Sequence, residues 1–166
     1  MSIGTLLLTE FDAEMANTRR TLERVPNKPD FAPHQKSMPL GRLASHVAEL
    51  AGFGVSVLTT PALDFGKQEY KPLPFESAAQ MVRALDEGAA KARAALAALP
   101  DAAWEQPWKL SFQDKTIFEG SRFLAYREMF LNHLVHHRAQ LGVYLRLTDQ
   151  PVPPTYGPSA DDRLGF

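Results

Sequence analysis

The chain has 166 residues and a formal charge of −1, from 18 basic and 19 acidic residues, and contains no cysteine. The length suits a single domain spanning residues 1–166, and 45% hydrophobic with 22% charged residues is the balance of a folded chain rather than a disordered one. Balanced charge argues against nucleic acid, and the missing thiols exclude disulfides, thiolate nucleophiles and zinc ribbons. No apolar run approaches the ~20 residues of a membrane helix.

The N-terminal stretch lacks a basic leader and meets Glu10 and Asp12 early, so a cytoplasmic protein is expected. Ser2 to about Val25 reads as a first helix, with Ile3, Leu6, Leu7, Met15 and Leu22 as core candidates. Pro26, Pro29 and Pro33 impose a non-helical crossing. A second helix starts near Pro39 and ends at Leu58, before Pro61. Ser77 is placed to cap a third, alanine-rich helix that stops at Leu99, before Pro100. Trp108 to Gly120 alternates apolar and polar residues around Gln113-Asp114-Lys115, the pattern of a short hairpin. A fourth helix covers about Ser121 to Leu147, followed by a proline-rich tail. The expected fold class is all-α, a four-helix bundle with this hairpin or irregular insert before its last helix.

By α-helical periodicity the fourth helix carries two apolar sides. Phe123, Tyr126, Phe130, His133, His137, Leu141 and Tyr144 form one, while Leu124, Leu131, Val135 and Gly142 form the other. A bundle helix needs one buried stripe. The second reads either as a subunit contact or as wider burial within one chain.

The chemistry concentrates in three histidines. His133 and His137 stand four residues apart, a rotation of only ~40°, so they share a helix face one turn apart. His46 lies in the second helix, on the side of Leu43, Val47, Leu50, Gly54 and Val57. A single buried histidine is most simply a core residue hydrogen-bonded to a carbonyl. Three on converging apolar faces need polar partners together, and one metal ion satisfies all three. Three imidazoles with an open fourth position describe a reactive rather than a structural metal site.

His136 falls at the margin of the stripe and reads as a rim residue, and His34 in the proline-rich crossing reads as solvated. Glu49 reads as a solvated helix-edge carboxylate, Arg138 as the partner of a carboxylate or of the C-terminal tail, and Phe53, Tyr126, Phe130 and Tyr144 as core. Glu-x-x-His and His-Glu-x-x-His are both absent, which removes the di-iron bundle and zinc-protease patterns.

The stretches L-G-R-L-A-S-H-V-A-E-L around His46, N-H-L-V-H-H-R-A-Q-L around His133 and His137, and the terminal Y-G-P-S-A-D-D resemble the DinB/YfiT-like metalloenzyme superfamily. Ala139 departs from the glycine that often follows His-Arg there. The resemblance implies a bundle with up-down-down-up order, frequent homodimers, and a divalent metal on His46, His133 and His137. Zinc or nickel is implied first, and imidazole suits iron as well. Relatives that are thiol-dependent S-transferases or isomerases imply a small-molecule substrate and a low-molecular-weight thiol cofactor. The expectation is therefore a metal-dependent transferase, isomerase or hydrolase. Its alternative is a non-catalytic metal-binding stress or regulatory protein, and a third reading is a structural dimer with remnant histidines.

Overall fold

Ser2 opens the first helix as its residue type suggests, its hydroxyl accepting from the Thr5 amide at 3.1 Å. In the computed structural model, which describes residues 2–67 and 70–162, this helix, α1, spans Ile3–Leu22. Leu7, Phe11, Met15 and Leu22 are buried, and Ile3 packs partly against them. Leu6, expected in the core, is 60% exposed. Steps of four residues from Leu7 to Phe11 to Met15 set the buried stripe, and Leu6 stands ~100° away from it.

The second helix, α2, spans Leu40–Thr59 behind Pro39, and the third, α3, spans Ala78–Ala98. The Ser77 hydroxyl accepts from the Gln80 amide at 3.2 Å, as the sequence suggested. Small residues let α2 and α3 approach closely. A Cβ built on Gly88 would stand 2.9 Å from the Gly52 backbone nitrogen, closer than side chains tolerate.

Strands β2 (Pro107–Phe112) and β3 (Lys115–Ser121) form the expected hairpin, paired antiparallel. Gln113 adopts φ 53° in its two-residue turn. Trp108 and Leu110 point inward and are buried. A further strand, β1 (Ala62–Asp64), pairs parallel to β2. Three residues are too few to leave an alternation pattern, so the sequence does not announce it.

The last helix begins as α4 (Arg122–Ala125), continues as a π-helical segment (Tyr126–Asn132) and resumes as α5 (His133–Leu147). The Ser121 hydroxyl caps it on the Leu124 amide at 3.2 Å. Helical dihedrals persist at both junctions. The π segment uses more residues per turn than an α-helix, so the faces before and after it fall out of phase. That rearranges both expected stripes. Phe123 is 42% exposed rather than aligned with the histidines, and Leu131 is buried at 1% rather than presented to a partner. Leu124 stays 40% exposed and Val135 half-buried.

The described residues are thus mostly helical, with four main helical stretches and a small sheet. The α2 helix packs against α3, the π segment and α5, which brings the histidine-bearing faces together. Among the described residues no helix is long and apolar enough to cross a membrane.

Candidate metal centre

His46 is held by an α2 face whose neighbours Leu43, Val47 and Leu50 are at most 3% exposed. His133 is the first residue of α5, directly after the π segment, and His137 follows one turn on. The Nε2 atoms of His133 and His137 are 2.9 Å apart, and those of His46 and His133 are 3.3 Å apart. Each of the three offers a ligand atom within 4.8 Å of the others, and all three side chains are partly buried.

The outer nitrogens fix the tautomers. His133 Nδ1 stands 3.2 Å from the Met129 carbonyl oxygen, which can only accept, so Nδ1 carries the proton. His137 Nδ1 likewise donates to Gln140 Oε1 at 2.8 Å. In the neutral rings both Nε2 atoms are then bare lone pairs facing each other. Such an arrangement is repulsive unless a cation lies between them.

An extra proton is a poor candidate for that cation. Burial, then repulsion from His137 and His133, then the charge of Arg42, lower the pKa of His46 to about 4. Burial is also the main cause that holds His133 and His137 below the usual histidine range. A metal ion fits better. Two nitrogens bound at ~2.1 Å to one ion stand roughly 3–3.5 Å apart, close to the separations here. The donor chemistry and the geometry both suit a divalent cation.

The other expected residues sort as follows. His136 is exposed and meets His137 only by its ring, at 4.9 Å between centroids. His34 is exposed, its Nδ1 accepting from the Lys36 amide at 3.1 Å. Tyr126 and Phe130 are fully buried, Tyr144 is 7% exposed, and Phe53 is partly buried against the core. The Tyr144 hydroxyl donates to the Met38 carbonyl at 2.8 Å.

Glu49 is not simply solvated. It accepts from the Tyr70 hydroxyl at 2.7 Å and the Leu73 amide at 3.0 Å, tying the irregular segment before α3 onto α2. Arg138 does pair with both a carboxylate and the tail. Its Nη1 stands 2.6 Å from Glu14 Oε2, and its Nη2 donates to the Tyr156 hydroxyl at 2.5 Å. Sequence reasoning gave no role to Gln140 or the Met129 carbonyl. The former sits three residues beyond a histidine on the same helix, a spacing that does carry the contact. The latter is a backbone group and leaves no sequence signal.

The sequence pattern of the DinB superfamily matches residues 10–141, a span that includes all three histidines. The chain belongs to the DinB superfamily. Among solved structures, it is similar to a DinB-like protein from Bacillus cereus ATCC 10987, with 19% identity and a TM-score of 0.66, covering 90% of this chain and 95% of that one. It is also similar to the DinB-like protein YjoA from Bacillus subtilis, with 16% identity and a TM-score of 0.68, covering 91% and 96%. At these identities the likeness speaks to the fold alone. No curated protein matches the chain.

Proposed function

We propose that His46, His133 and His137 bind one divalent metal ion through Nε2, and that the protein is a metal-dependent enzyme acting on a small molecule. The observation that carries this reading is the pair of bare Nε2 atoms of His133 and His137 at 2.9 Å, with their Nδ1 protons committed elsewhere. Zinc or nickel is the preferred ion, with iron also compatible with imidazole. Bound there, it supplies Lewis-acid chemistry, lowering the pKa of a water or thiol that takes its fourth position. Met129 and Gln140 hold two of the rings in the orientation that presents Nε2.

The proposed reaction class is a thiol-dependent S-transfer, isomerisation or hydrolysis, and the up-down-down-up helix order belongs to the same reading. Elemental analysis of protein purified without added metal tests the site. A screen of the loaded protein against low-molecular-weight thiols and electrophiles then tests turnover. One ion per chain without turnover would favour the non-catalytic, metal-binding alternative.

We also propose a homodimer. Val143 and Leu147, four residues apart on α5, are 57% and 52% exposed. They line an open groove of about 500 Å³ that contains none of the three histidines.

A further inference from the structure

Arg42 lies one helical turn before His46 on α2, so the two side chains share a face. Its Nη2 donates to the Tyr70 hydroxyl at 3.2 Å, and its guanidinium carbon stands 5.7 Å from the Tyr70 ring centroid. Among the described residues Nη1 is covered from solvent and has no hydrogen-bond partner. Glu49 Oε2 forms an ion pair with it at 3.7 Å, too long for a hydrogen bond, and accepts from the Tyr70 hydroxyl. Glu49 follows His46 by three residues on α2, so a guanidinium that reaches it from Arg42 lies across the turn that carries His46.

Among the described residues the ligand group consists of three imidazoles, with no carboxylate. A divalent ion held there would keep its full double charge, with Arg42 one helical turn from His46. Such a centre calls for an anion. We propose that Arg42 is an anion-positioning residue of this centre, pairing through Nη1 with a carboxylate of the small molecule that occupies the open metal position. This rests on the reading of the three histidines as a metal site.

A covered donor without an acceptor carries a desolvation penalty, and a bound carboxylate removes it. Guanidinium and carboxylate also match in geometry as well as charge. Glu49, 3.7 Å from the same nitrogen, repels a dianionic phosphate more than a singly charged carboxylate. The chemical class is therefore a small carboxylic acid, or an electrophile or thiol that bears one.

The test uses Co²⁺, whose visible spectrum reports its ligands, with acetate as the added anion. Wild-type protein is expected to take up one Co²⁺ and to show a saturable spectral change with acetate. Arg42→Gln should keep one Co²⁺ and weaken acetate about tenfold or more, with Arg42→Lys between the two. Tyr70→Phe keeps the guanidinium and should leave acetate affinity within about threefold, which separates anion pairing from a role in holding the Tyr70 segment. Equal acetate affinity in wild type and Arg42→Gln, each holding Co²⁺, overturns this proposal alone, as does the lack of any saturable acetate response in wild type. No Co²⁺ uptake by wild type overturns the metal reading together with it.

Discussion

His133 Nε2 and His137 Nε2 meet at 2.9 Å while the far side of each ring donates its proton, to Met129 O and to Gln140 Oε1. This relationship separates ligands from bystanders. His137→Ala should abolish stoichiometric metal binding, because two remaining imidazoles hold an ion poorly. His136→Ala should keep the ion, since that ring lies outside the cluster. Elemental analysis after dialysis measures both, and equal metal content in wild type and His137→Ala would reject the assignment.

Gln140 should matter through His137. Gln140→Leu removes the acceptor that fixes the ring, and loss of such a partner typically weakens metal affinity about 10–100-fold. Competition with a chromophoric chelator reads the change. An unchanged affinity would show that the Gln140 contact does not orient the ligand.

Much of this arrangement was legible in the sequence. Ser77 and Pro100 bound α3 within a residue, and Gln113-Asp114-Lys115 brackets the hairpin turn. Of the histidine faces, His133 and His137 lie in the regular helix after the π segment, so α-helical arithmetic holds between them. The same arithmetic fails when carried back to Phe123, because the i→i+5 bonding of Tyr126–Asn132 resets the phase. Nothing in Y-R-E-M-F-L-N distinguishes a π turn from an α turn, since the choice depends on packing. Glu49 was hidden for another reason. Its partners Tyr70 and Leu73 come from an irregular segment with no periodicity to place it.

The burial of Leu131 redirects the test of association. Leu131→Asp would place a charge in a site 1% exposed and should unfold the chain, whatever its oligomeric state. Val143→Asp sits on exposed α5 surface and should leave the fold intact while shifting a dimer toward monomer. Sedimentation of both proteins at micromolar concentration measures this, and a monomeric wild type would end the dimer proposal.

Arg138 and Glu14 form a buried pair, with side chains 4% and 10% exposed, joined to the tail through Tyr156. Arg138→Met leaves the Glu14 carboxylate without its cation and should cost about 3–5 kcal/mol, read from urea unfolding. Adding Glu14→Leu should recover most of that loss, because the uncompensated charge is gone. A double variant no more stable than Arg138→Met would show that the packing of the pair, not its charge, dominates.

Stability of the metal-free protein should depend on pH through the same histidines. The folded pKa of His46 is lowered to about 4, and those of His133 and His137 are lowered too, so between that value and ~6.5 the unfolded chain binds more protons than the folded one. Stability then rises with pH across this window. The contribution is fully present above ~6.5, declines as pH falls, and stops changing below about 4 for His46. Asp161, whose pKa the Arg146 contact lowers to about 2, adds its own loss only at still lower pH. Urea midpoints at pH 7.5, 6 and 5 should fall in that order, and His46→Asn should flatten the trend. Loaded protein should fall more steeply, because protons must also displace the ion. Equal midpoints for the metal-free wild type at pH 7.5 and 5 would mean that these imidazoles are not held neutral by the fold.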